Sequence, residues 1–241
     1  MPSAAHWIVL GDIHDDLQYL EEIPDLDQAS GIIVTGDLTF LGGVAAGSKI
    51  IDALAVHSPH IYAQIGNMDK PELTAYLEEK GINLHGRARG LYPGLVLIGV
   101  GGSSKTPFNT PSEFSEEELG ALLEKALAEA GQAEHLVLVT HTPPLNTACD
   151  RLDNGTHVGS PAVRAFIEKR QPALCLCGHI HESRGQDRIG DSLIVNPGQF
   201  GNGGYAIMAL EPDPAGGKAR LSAGLCCARE YCTINCPLPK N

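Results

Sequence analysis

The sequence predicts a mixed α/β fold: a single domain over residues 1–241, with two sheets and helices outside them. Three observations lead there. The first part of the chain alternates strand-like and helix-like segments as β-α-β-α-β, whereas the later part is mostly strands, an order that suits two sheets better than one doubly wound sheet. With 241 residues and 43% hydrophobic content, the chain can bury one sizeable core. Its apolar runs are short and flanked by glycine, with no internal repeat and no low-complexity linker between them.

Strands are expected at Trp7–Leu10, Ile32–Thr35, His60–Ile65, Leu95–Val100, Leu136–Thr140, Ala173–Cys177, Ser192–Val195, Tyr205–Leu210 and Ala219–Gly224. Their length and β-branched content favour strand over helix. Helices are expected over Asp16–Ile23 and Val44–His57, from Pro71 to Gly81, from Ser115 to Gly131 and from Ser160-Pro161 onward. Ser115 and Glu118 have the spacing of a capping box, and apolar residues follow at 119, 122, 123, 126, 127 and 130. Pro212-Asp-Pro-Ala-Gly-Gly217 reads as a hairpin turn.

Lys and Arg number 17 against 29 Asp and Glu, a net charge of −12 that opposes binding to a nucleic-acid polymer. No apolar run approaches the ~20 residues of a membrane span, and His6-Trp-Ile-Val-Leu10 begins without a basic n-region or a long apolar h-region. A cytoplasmic protein with no membrane contact is expected. A small anionic substrate needs a local cation to override the global field.

Five apolar runs end in metal-ligand residue types: Gly11-Asp-Ile-His14, Gly36-Asp37, Gly66-Asn67, Thr140-His141 and Gly178-His-Ile-His181. Singly, each is ordinary turn or cap chemistry. Together they mix carboxylate, imidazole and amide at the carboxyl ends of strands, where open α/β sheets gather their sites. Residues i and i+2 of an extended segment share a face, so Asp12 with His14, and His179 with His181, can each aim two side chains at one region. Seven nitrogen and oxygen ligands exceed the needs of one four-coordinate ion, and two divalent transition ions sharing a carboxylate would use them all.

In this order the motifs Asp-x-His, Gly-Asp, Gly-Asn-x-Asp, His and Gly-His-x-His resemble those of the calcineurin-like metallophosphoesterases, from about Asp12 to Asn196. Gly101-Gly-Ser with Thr106-Pro-Phe-Asn-Thr-Pro111, Thr140-His-Thr-Pro-Pro144 and Val195-Asn-Pro-Gly198 look like a prokaryotic branch of predicted phosphoesterases related to cyclic-AMP phosphodiesterase. The resemblance implies a four-layer αββα sandwich. It implies one ion held by Asp12, His14, Asp37 and His181 and another held by Asp37, Asn67, His141 and His179, with Asp37 bridging. Asp37, Asn67 and His141 are then also the residues expected to serve catalysis. Mn²⁺ is the expected metal, with Fe, Zn or Ni as alternatives.

Many relatives carry histidine where this chain has Met68, and a thioether cannot donate a proton to a leaving group. A phosphodiester is therefore expected over a monoester, with Asp69 left to cap the helix near Pro71. His85 and His157 are candidate replacement donors, and they join Asn109 as candidate substrate contacts. Asn146, Asp150 and Arg151 lie in nearby loops, and Asn196 is expected to order a turn. One alternative differs in class, a non-catalytic scaffold on the same fold, as in the retromer subunit; another, within enzymes, is a nuclease, which the charge opposes. A homo-oligomer is left open.

Cys175 and Cys177 alternate along a strand and should face the core as small hydrophobes. The tail from about 226 to 241 contains Cys226, Cys227, Cys232 and Cys236 in no standard metal spacing, and reduced side chains are expected there, with a disulfide or a soft-metal site as the alternative.

Overall fold

The computed structural model describes residues 5–211 and 219–228. The first run forms β1 (Ala5–Leu10), joined in parallel by β2 (Gly31–Val34) and β3 (Ile61–Ala63). Between and after these strands come α1 (Val44–His57) and α2 (Glu72–Glu79). A hairpin of β4 (Arg87–Tyr92) and β5 (Leu95–Val100) opens the second sheet. A small parallel ribbon, β6 (Ser103–Ser104) with β7 (Glu113–Phe114), leads to α3 (Glu116–Ala130), β8 (His135–Thr140), α4 (Pro161–Arg170) and β9 (Leu174–Leu176). The described chain closes with β10 (Gly185–Ile189), β11 (Ser192–Asn196), β12 (Gly204–Glu211) and β13 (Arg220–Cys227).

The sheet orders are β13-β12-β1-β2-β3 and β10-β11-β9-β8-β5-β4. Alternation along β1 shows how the layers form. Ile8 and Leu10 pack with Leu54 of α1 and Leu73 of α2, whereas Trp7 and Val9 pack with Leu97, Val137 and Val195 of the other sheet. A third cluster sets Leu119, Leu123, Val163 and Phe166 of α3 and α4 against Ile98, Leu138 and Ile194. Three apolar layers between four polypeptide layers make the αββα sandwich, with both sheets buried on both faces.

The capping box at α3 forms as expected: Glu118 N–H donates to Ser115 Oγ at 3.2 Å and Ser115 N–H to Glu118 Oε2 at 2.7 Å. Other expectations need correcting. Asp16–Ile23 is not an α-helix; only short 3-10 turns at Leu20–Glu22 and Leu26–Gln28 occur there. The Asp16 carboxylate takes the Gln18 N–H at 3.0 Å, and Asp15 and Asp25 adopt left-handed φ of 63° and 56°, so local side-chain and backbone choices outcompete the helix. β4 and β10 were not anticipated. Both are edge strands with mixed exposure, carrying Arg87, Arg89 and Arg188, and so lack an apolar run. Cys226 is disulfide-bonded, against the expectation of reduced side chains, whereas Cys149, Cys175 and Cys177 are free and buried. The expected turn at 212–217 and the cysteines at 232 and 236 lie outside the described residues.

Candidate metal centre

Parallel pairing places the carboxyl ends of β1, β2 and β3, and of β5, β8 and β9, at one end of the sandwich. Gln64 joins the two sheets beneath that end. Its buried Nε2 donates to the carbonyls of Thr35, Val100 and Val139 at 3.1, 3.2 and 3.3 Å. The loops above are bonded to one another, with Asp12 N–H to Gly36 O, His14 N–H to Asp37 O, and Gly178 N–H to His141 O.

All seven expected ligands converge here. His14 Nε2 lies 3.1 Å from His181 Nε2, and His181 Nε2 lies 3.3 Å from Asp12 Oδ1. His141 Nε2 lies 3.0 Å from Asn67 Oδ1. Asp37 Oδ2 stands between the two groups, 3.6 Å from His14 Nε2 and 3.3 Å from His141 Nε2. The His179 ring lies 5.1 Å from that of His141, while its N–H donates to Asp12 Oδ1 at 3.0 Å. Two triads, Asp12–His14–His181 and Asp12–Asp37–His141, each offer donor atoms within 4.8 Å of one another and share Asp12. Donors bound at ~2.0–2.2 Å to one ion stand about 3.0–3.4 Å apart, so these spacings fit cations.

The backbone is bent to achieve this. Asp12, His14, Asp37 and His179 have φ of 51°, 48°, 50° and 71°, a left-handed conformation that costs about 1–3 kcal/mol each and concentrates at functional sites. Two glycines make room. A Cβ on Gly66 would stand 2.0 Å from Asp37 Oδ1, and one on Gly36, whose φ is 134°, would stand 2.5 Å from His141 Nδ1. The glycine preceding a ligand is thus required by the side chain of the ligand next door.

Electrostatics point the same way. Burial opposes ionisation of Asp12, yet the His181 hydrogen bond and the charges of His141, His181 and His14 hold its carboxyl at about 2. Burial pulls His141 down, but Asp37 and Asp12 push it up to about 9. His179, buried and facing His141, falls to about 4. Buried carboxylates meeting imidazoles, with no Lys or Arg among them, form a nest suited to divalent ions.

Asp69 does not cap α2, whose N-cap Pro71 receives no side-chain bond. It turns inward instead, accepting from Leu38 N–H, Thr39 N–H, Thr39 Oγ1 and Gly66 N–H at 3.0, 2.8, 2.7 and 2.9 Å. It therefore ties the Asp37 loop to the Asn67 loop. Asn67 is fixed from its other end, because Nδ2 donates to Thr110 Oγ1 at 3.0 Å and Thr110 Oγ1 donates to Glu113 at 2.7 Å. Asn196 orders its turn through Gly198 N–H and also holds the Ile180 carbonyl between His179 and His181. Sequence alone assigns no role to Gln64 or Glu113, and it shows Thr110 only as part of Thr106-Pro-Phe-Asn-Thr-Pro111. For Asp69 it missed the role, though Gly66-Asn-Met-Asp69 shows the residue.

A cleft of about 920 Å³ opens over the centre, lined by Asn67, His179 and His181 together with Met68, Lys105 and Asn109. His85 and His157 do not line it. His85 accepts the Gly101 N–H at 3.1 Å and stacks on Phe114, and His157 Nδ1 is paired with Asp150 at 2.7 Å. Asp150 is committed to its own loop through Asn146, Thr147 and Gly159 N–H groups.

The family described as metallophosphoesterase, calcineurin superfamily, matches residues 91–214. An uncharacterised protein of Methanocaldococcus jannaschii is 37% identical over 177 residues, 71% of this chain and 78% of that one. The crystal structure of TT1561 of Thermus thermophilus superposes with a TM-score of 0.67 at 20% identity, covering 94% of this chain and all of the other. A dimetal phosphatase from Danio rerio gives 0.58 at 11% identity, covering 86% and 94%. The αββα fold and the end-of-sheet ligand nest define a metallophosphoesterase. The chain belongs to the calcineurin superfamily, and its class of reaction is metal-dependent phosphoester hydrolysis. Among the described residues no helix is long and apolar enough to cross a membrane.

Proposed function

We propose that the protein hydrolyses a phosphodiester at a two-metal centre in which Asp12, His14, Asp37 and His181 hold one ion and Asp37, Asn67, His141 and His179 the other. The observation that carries this reading is the continuous chain of donor atoms from His181 through His14 and Asp37 to His141 and Asn67, at 3.0–3.6 Å. When bound, the two ions supply Lewis acidity and an activated water. Mn²⁺ is the ion we expect, in a cytoplasmic enzyme acting on a small substrate.

The residues themselves orient and discriminate. Asn67, His179 and His181 face the cleft, so a phosphoryl group entering it would meet the edge of the centre. Asp37 Oδ1 accepts the Met68 N–H at 2.8 Å, which fixes the loop that carries Asn67. Met68 presents a thioether where a proton donor would assist a poor leaving group, an aid typically worth about 10²–10⁴-fold. Lys105 is the one lysine or arginine lining the cleft among the described residues. A diester, with one negative charge fewer than a monoester, suits that scarcity.

The test uses metal-stripped protein reloaded with Mn²⁺ and assayed on bis-p-nitrophenyl phosphate and p-nitrophenyl phosphate. We expect metal-dependent turnover favouring the diester, lowered on the order of 10³-fold in Asn67→Ala. Met68→His should raise turnover of alkyl phosphomonoesters. Two ions bound with no turnover of either ester would overturn the reading.

A further inference from the structure

Half of the exposed large hydrophobic side chains of the described residues gather where the proposed chemistry occurs. Of the six large hydrophobic side chains exposed among the described residues, Leu41 (47%) and Phe108 (80%) line the cleft, and Phe40 (63%) lies edge-on to His14 at 6.0 Å. Pro107, Leu152, Val158, Ile180 and the Met68 thioether complete this side. Scattered exposed apolar residues need no explanation, but a set converging on one concave site does.

Folding does not account for them. Leu41 sits in the turn Thr39–Gly42, closed by Thr39 Oγ1, which accepts the Gly42 N–H at 3.1 Å and is anchored on Asp69. The Phe40 N–H is taken by Asp15. Leu41 has a φ of 60°, an outlier for a bulky side chain, so the turn is strained rather than relaxed by the residue it carries. On the opposite lip, Glu113 accepts from Thr106 Oγ1, Thr110 N–H and Thr110 Oγ1, and the Phe108 N–H is satisfied by Thr106. Polar bonds close both turns. Their apolar side chains are left displayed around the ligand nest.

We propose that the cleft takes a phosphoester bearing an apolar organic group, with the phosphate against Asn67, His179 and His181 and the apolar group lying along Leu41, Met68 and Phe108. This rests on the phosphoesterase reading and deepens it. A volume near 920 Å³ accommodates a phosphate with a medium-length hydrocarbon arm. A purely polar ester would leave the apolar lip wet.

The experiment holds the leaving group constant and varies the arm: methyl, butyl and octyl p-nitrophenyl phosphate, each below its critical micelle concentration, with the Mn²⁺-loaded protein. Each methylene fully buried is worth about fourfold. Burial of three of the seven that distinguish octyl from methyl would raise kcat/KM on the order of 50-fold. Phe108→Ser and Leu41→Ser, checked for folding by circular dichroism, should shrink the octyl-to-methyl ratio. Equal kcat/KM along the series, with turnover intact, overturns this inference and leaves the phosphoesterase standing. A chain-length effect indifferent to both substitutions overturns it as well. If no ester is turned over, the phosphoesterase reading fails separately, and calorimetric titration with methyl- and octylphosphonate decides here. Tighter octyl binding that Phe108→Ser weakens supports the apolar wall, and equal affinities reject it.

Discussion

The floor of the cleft is polar and buried and its lip is apolar and exposed, yet each rests on a carboxylate that staples a turn. In the floor, Asp69 gathers Leu38, Thr39 and Gly66; at the lip, Glu113 gathers Thr106 and Thr110. Their acidities diverge. Burial, then the neighbouring charge of Asp37, drives the Asp69 carboxyl up to about 7. Glu113, whose slight burial is outweighed by bonds from Thr106 and Thr110, falls to about 2. The same hydrogen-bonding device is thus strained by charge in the floor and relaxed at the lip. Burial beside Asp37 makes the Asp69 carboxylate costly to ionise, and a cation held by Asp37 would relieve that repulsion.

Asp69→Ala should therefore give the largest effect. It strands the N–H groups of Leu38, Thr39 and Gly66 in the interior, a loss of about 3 kcal/mol by urea denaturation. It also frees both ligand loops, so metal affinity measured by calorimetry should fall about 10- to 100-fold. Unchanged affinity with lowered stability would mean that Asp69 supports the fold without shaping the floor.

Thr110→Val probes a side-chain contact between lip and floor. The substitution keeps shape but removes the acceptor for Asn67 Nδ2, so the amide is no longer held with Oδ1 toward His141. Metal affinity should drop about 10-fold, while stability changes by about 1 kcal/mol. An affinity equal to wild type would show that the strained backbone at the neighbouring strand ends positions the ligands without help from the lip.

These two regions also differ in how far the sequence discloses them. The candidate ligands are legible because metal chemistry restricts residue type: Asp12, His14, Asp37, Asn67, His141, His179 and His181 each follow an apolar run, and the fold brings all seven together. The strands that carry them were legible for the same reason, being apolar on both faces. The lip was not. Phe108 and Leu41 look like loop residues until Glu113 and Asp69 fold their turns, because hydrogen bonds between residues three to thirty apart leave no periodicity. Asn109 lines the cleft, whereas only residue type draws His85 and His157 toward it, and their partners Gly101 and Asp150 hold them elsewhere. The helix expected at 16–23 failed because aspartates that satisfy nearby N–H groups offer the backbone an alternative to the helix.

His85 offers the gentlest test, because it underlies the lip and not the floor. Its ring stacks 5.3 Å from Phe114 of β7, the strand adjoining the Phe108 loop, and its Nδ1 accepts the Gly101 N–H. Burial, with a smaller contribution from Lys125, lowers its pKa to about 4, and a ring nitrogen that accepts the Gly101 N–H must stay unprotonated to keep that bond. An unfolded histidine titrates near 6.5, so between pH 4 and 6.5 the unfolded chain binds the additional proton. The contribution of neutral His85 is then complete above pH 6.5 and is lost as pH falls toward 4, amounting to about 2 kcal/mol by pH 5. His85→Gln, which keeps an acceptor and cannot titrate, should flatten this part of the stability profile when urea midpoints are compared at pH 5 and 7.5. If the lip alone responds, metal affinity at pH 7.5 will match wild type, because neither Asn67 nor His141 contacts the altered ring. A fall in affinity at that pH would instead show that Phe114 transmits to the floor through Glu113 and Thr110, and would merge the two regions into one.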